Sequence, residues 1–95
     1  MRMSYVMKLY LENFLNRCNK ESIVISSEQK NYVAEIKRSS LHIEDNEDGL
    51  FINGFDDIEN IEIQLFLDND EILEIEPINK NLAIHLYNED FVFSY

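Results

Sequence analysis

The stretch Ile61-Glu62-Ile63-Gln64-Leu65-Phe66-Leu67 decides the fold. In an extended chain successive side chains point to opposite faces. Ile61, Ile63, Leu65 and Leu67 therefore share one face, with Glu62 and Gln64 on the other. That alternation predicts a β-strand with one buried face. Phe66 interrupts the polar side, so part of the second face is expected to be covered as well.

The same period of two extends in both directions. Toward the N-terminus, Leu50–Ile52 reads as a strand, with Asn53-Gly54 expected to turn the chain before Ile61. Asp45-Asn46-Glu47-Asp48-Gly49 reads as a hairpin loop, with Gly49 available for a positive φ. Leu41 and Ile43 flank His42 in a short run. Tyr32–Lys37 alternates, and Ile23-Val24-Ile25 is short and β-branched. Toward the C-terminus, Asp68-Asn69-Asp70-Glu71 predicts a turn, and Ile72–Ile75 a strand stopping at Pro77. Proline cannot donate to a ladder, so that strand is expected at an edge or to end there. Leu82–Tyr87, the turn Asn88-Glu89-Asp90 and Phe91–Tyr95 read as a last hairpin.

Only the first residues show another period. Met3, Met7, Tyr10, Leu11, Phe14, Leu15 and Cys18 recur at three- and four-residue steps, which predicts an amphipathic helix over about residues 3–19. Ser4 is the expected N-cap, and Asn19 is expected to end the helix in a left-handed conformation. The fold class is α+β, mostly β. A helix precedes an antiparallel β-meander over residues 22–95, expected to curl into a small barrel-like sheet on which the helix packs. A β-sandwich without barrel closure is the alternative. At 95 residues the chain makes one domain.

Charge is unevenly distributed. Residues 1–38 hold seven of the eight basic residues against four acids, a balance of +3. Residues 39–95 hold Lys80 alone against fifteen acids, a balance of −14, and the whole chain carries −11. Such a surface repels phosphates, which argues against direct nucleic-acid binding. It attracts basic protein surfaces. The single cysteine, Cys18, leaves no intrachain disulfide, and no stretch approaches the length of a membrane span. No secretory apolar core precedes a cleavage site. A cytoplasmic location is expected, with no membrane partner.

Motifs for chemistry are weak. Aligning Gly49 with the glycine of a calcium-binding helix-loop-helix puts Phe55 where the bidentate Glu belongs, so an acidic turn explains the loop better. His42 and His85 have no third nitrogen or sulfur ligand beside them in sequence, and Cys18 ends the apolar stripe of the helix. No metal, cofactor or catalytic residue is expected. Carboxylates are abundant, but a working acid–base pair needs an environment that separates its pKa values.

What remains is the acidic series itself. The simplest explanation is a solvated face that keeps a small β protein soluble and discourages edge pairing. It accounts less well for Lys80 as the sole cation after Arg38. The expected function is therefore a non-enzymatic protein-binding module whose acidic surface engages a basic partner. Its sharpest form is a phage or mobile-element inhibitor that presents itself as a DNA mimic to a nucleic-acid-binding or defence enzyme. The candidate partner-binding residues are Asp45, Glu47, Asp48, Asp68, Asp70 and Glu71 of two turns, with Tyr87, Phe91 and Tyr95. The alternative is a structural protein acting as a homo-oligomer through the helix face, the edge near Pro77 and the C-terminal strand. Opposite charges at its two ends would orient the copies.

Overall fold

In the computed structural model, which describes residues 2–95, helix α1 (Met3–Arg17) is followed by eight antiparallel strands. They are β1 (Ser22–Ser27), β2 (Tyr32–Lys37), β3 (His42–Asp45), β4 (Gly49–Asp56), β5 (Ile61–Asp68), β6 (Ile72–Ile78), β7 (Asn81–Leu86) and β8 (Asp90–Ser94), with a 3-10 turn over Arg38–Ser40. No described helix is long and apolar enough to cross a membrane.

The strands form one sheet in the order β6-β7-β8-β1-β2-β4-β5. β4 is the hub: β5 runs along one of its edges, while β3 and the end of β2 share the other. The sheet's outermost strands, β5 and β6, are joined by only residues 69–71, so the sheet curls until its ends approach at that rim. The result is a curled half-barrel. α1 lies in it against β3, β4, β6 and β7.

The helix buries Ser4, Met7, Leu11 and Phe14, at the spacing its apolar stripe requires. Tyr10, expected on that face, points outward and is 40% exposed. Phe14 meets the ring of Phe93 edge-on at 6.5 Å and that of Tyr95 at 5.2 Å. From the sheet, Ile23, Ile25, Ile36, Leu50, Ile52, Leu67, Leu82 and Ile84 complete the core.

Several local expectations are corrected. Ser4 lies inside the helix, not at its N-cap; Arg2 occupies that position without a side-chain cap. The helix ends at Cys18 in an extended conformation, and the Arg38 guanidinium donates to the Leu15 carbonyl at 3.0 Å. Asn53-Gly54 does not turn the chain but runs through β4. Gly54 is there because a Cβ would collide with Ile36 Cγ2. Neither glycine has a positive φ; Asn31, Asn60 and Asn79 take the left-handed conformation at the turns instead. Strand β6 continues through Pro77 to Ile78, on the edge where a missing N–H is tolerated.

Candidate functional site

The β3–β4 turn and the β5–β6 turn meet at the N-terminal end of α1. Asn69 holds them together: its N–H donates to the Asp48 carbonyl at 3.0 Å, and its Nδ2 to the Glu47 carbonyl at 2.9 Å. Its Oδ1 accepts the Ser4 N–H at 2.7 Å, satisfying a donor that the helix start leaves without an intrahelical partner. Each turn is also braced internally. Asn46 Oδ1 accepts from the N–H groups of Asp48 and Gly49, and Asp68 Oδ1 from that of Asp70.

Glu47, Asp48, Asp68 and Asp70 consequently line one shallow depression, floored by Phe51 and Phe66. Those rings face each other from β4 and β5 with centroids 4.6 Å apart, 36% and 43% exposed. Phe66 is thus covered on its outer side by one neighbouring ring rather than by a second layer. Glu71 follows in the same turn, exposed, with its carbonyl accepting from Tyr87 N–H at 3.2 Å. Tyr87 itself is 67% exposed.

Three candidate residues have other roles. Asp45 is taken up inside the molecule: Ser4 Oγ donates to Asp45 Oδ1, and Arg2 pairs with Oδ2 at 2.8 Å. The Ser4 hydroxyl, and after it the Arg2 guanidinium, hold the Asp45 carboxyl below its usual range. Phe91 is buried in the core because it shares the inner face of β8 with Phe93, and β8, paired to β1 and β7, has no free edge. Tyr95 packs on Phe14, and its hydroxyl donates to the Arg17 carbonyl at 3.4 Å. The helix face and the C-terminal strand, expected to join copies of the chain, are interior surfaces.

Few of the acids are neutralised. Among the described residues, only Arg2–Asp45 and Lys30–Glu89 pair a lysine or arginine with a carboxylate. The remaining ion pairs centre on His85, whose Nδ1 and Nε2 each lie 2.9 Å from a carboxylate oxygen, of Asp90 and Glu76 respectively. Three cations of the first third gather at the other pole, while Arg2 and Lys8 lie near Asp45 at the acidic end and Lys30 pairs with Glu89. Lys20, Lys37 and Arg38 line a cleft of about 580 Å³ beside the C-terminal end of α1, with Glu21 among them. A helix of this length separates the poles by about 22 Å.

Comparison of the chain with protein-family models, curated proteins and solved structures finds no match in any of the three. The functional reading therefore rests on the site alone.

Proposed function

We propose that the chain is a protein-binding module whose acidic end, formed by Glu47, Asp48, Asp68, Asp70 and Glu71 around the Phe51–Phe66 pair, docks on a basic protein surface. The observation that carries this reading is the Asn69 bridge. It makes one surface of two turns more than twenty residues apart in sequence, and among the described residues no lysine or arginine pairs with Glu47, Asp48, Asp68, Asp70 or Glu71. Like charges held side by side cost stability, and a basic partner relieves that cost on binding. The exposed phenylalanine pair supplies the apolar centre that a charged rim alone lacks. In its most specific form the partner is a nucleic-acid-binding enzyme, whose phosphate-binding face the acids occupy.

The test is affinity capture with the immobilised chain beside a variant carrying Asp48→Asn, Asp68→Asn and Asp70→Asn. Proteins should be retained at about 0.05 M salt, released by about 0.5 M, and absent with the variant. Equal capture by both forms removes the proposal.

The separation of the charged poles favours a second reading, a head-to-tail homo-oligomer in which the acidic end of one copy enters the Lys20–Lys37–Arg38 cleft of the next. Light scattering decides it: a strict monomer at high micromolar concentration near physiological salt excludes such assembly.

A further inference from the structure

The two outermost strands of the sheet are guarded very differently. β6 carries Pro77, an irregularity between Ile72 and Glu74, and the outward acids Glu74 and Glu76, all devices that discourage strand addition. β5 has no proline, lysine or bulge, and pairs with β4 residue for residue from Ile61 to Asp68. Its unpaired side follows from the register. Gly49 directs both its N–H and its C=O toward Asn46, on the β3 side of β4. By alternation Leu50, Ile52, Gly54 and Asp56 face β5, and their partners Leu67, Leu65, Ile63 and Ile61 face β4. The backbone groups of Glu62, Gln64 and Phe66 therefore point away from the sheet. Among the described residues none of them has a hydrogen-bond partner there.

A cleft of about 230 Å³ runs beside this edge, with Gln64, Leu65 and Phe66 on one wall and Tyr32 and Phe91 on the other. Lys30 lies at its rim, paired to Glu89 at 3.2 Å. Acids frame the strand at both ends, Asp57 and Glu59 before it, Asp68 as its last residue and Asp70 after it, with Glu62 on its outer face.

We infer that the free edge of β5 accepts an added strand, and that the strand is an extended segment of a partner protein alternating apolar and basic side chains. Backbone bonds to Glu62, Gln64 and Phe66 supply the attachment. The apolar side chains fall on the inner row beside Ile63 and Leu65 and enter the cleft toward Tyr32 and Phe91. The basic ones fall on the outer row, beside Glu62 and Asp68. A second copy of the chain fits less well. Antiparallel pairing of two β5 strands about Gln64 sets Asp57 and Glu59 of one copy near Asp68 and Asp70 of the other, with −11 on each molecule. The inference takes only the charge of its partner from the acidic-surface reading; the strand acceptor itself rests on the register and the cleft.

The test uses the full chain and two synthetic peptides of about seven residues. One alternates valine and lysine; the other has the same sequence with every backbone nitrogen methylated, so that neither of its edges can donate. Binding of the first should slow amide exchange at Glu62, Gln64 and Phe66 about tenfold or more, and the methylated peptide should not. Gln64→Pro removes a donor from the free edge while leaving the bonds to β4, and should weaken the first peptide about tenfold. Equal binding of both peptides, or failure of both to bind, overturns strand addition, whatever the acidic variant does in affinity capture. Slowed exchange that grows with protein concentration in the absence of peptide overturns the partner segment in favour of a second copy. If the edge holds the valine–lysine peptide while Asp48→Asn, Asp68→Asn and Asp70→Asn leave capture unchanged, the acidic-surface reading fails and the strand acceptor stands.

Discussion

At Gly54 the absence of one methyl group decides whether β4 can lie against β2, since a Cβ there would run into Ile36 Cγ2. Gly54→Ala should cost about 1–3 kcal/mol by denaturant unfolding, limited by how far the Ile36 side chain can rotate. At Gly49 a Cβ would meet the Leu67 backbone oxygen, which cannot rotate away, so Gly49→Ala should cost more than Gly54→Ala. His85 offers a pH test. Hydrogen bonds to Glu76, and then to Asp90, raise its pKa above the ordinary 6.5. Both ring nitrogens face carboxylates, so the folded state favours the doubly protonated ring. Its stabilisation is fully present below the unfolded pKa and is lost as pH rises through the folded one. The melting temperature of the wild type should thus fall more steeply than that of His85→Gln as pH rises above the ordinary 6.5. An equal slope in both would show that the clamp contributes nothing. Asp45 has the opposite sense: its pKa is lowered from 3.8, so its contribution is present above that value and disappears as pH falls through the folded one.

Among the elements, α1 depends most on its surroundings. Its first turn contains no acid, and its N-cap has no side-chain bond. The Ser4 N–H is satisfied instead by Asn69, sixty-five residues away. Asn69→Ala should therefore destabilise the fold by about 1–3 kcal/mol and speed exchange at the start of the helix before the strands are affected. Unchanged exchange at Ser4 would show that the helix start holds without this bond. The helix itself was legible because Met7, Leu11 and Phe14 repeat at helical spacing, and its end points were not, because both are closed by distant residues, Asn69 and Arg38. Strands β2 and β5 were legible from alternation, and β7 from the hairpin turn that joins it to β8. The turn before Ile61 lies later than the sequence predicts, because Asn-Gly is the strongest local turn signal yet Asn53-Gly54 runs inside β4. Here Asn60 at φ 58° bends the chain, and Asp56 accepts the N–H groups of Ile58 and Glu59 at 2.9 and 3.0 Å. Edge status could be read at Pro77, where a donor is missing. It could not be read at β5, whose bare edge is a property of sheet order alone.

For the whole molecule, the consequence lies in where charge collects. The acidic half was plain in composition, but nothing local indicates that residues 47–48 and 68–70 become neighbours, since their contact is made by three-dimensional closure through Asn69. Nor does composition show that Asp45 is occupied by Ser4 and Arg2 while Asp48 and Asp70 are left facing solvent. If that surface is kept for binding, stability and affinity must pull in opposite directions. Raising salt from about 0.02 M to about 0.5 M should raise the melting temperature, because a net charge of −11 and the joined turns repel most when unscreened. Asp48→Asn with Asp70→Asn should reproduce part of that gain at low salt, within about 0.5–1 kcal/mol because both groups are exposed. The same variant should capture less of the basic partner. A variant that loses stability at low salt would mean these carboxylates support the fold through bonds to their own turns. A gain in stability without loss of capture would mean that the negative end serves solubility, and that binding must be sought along β5.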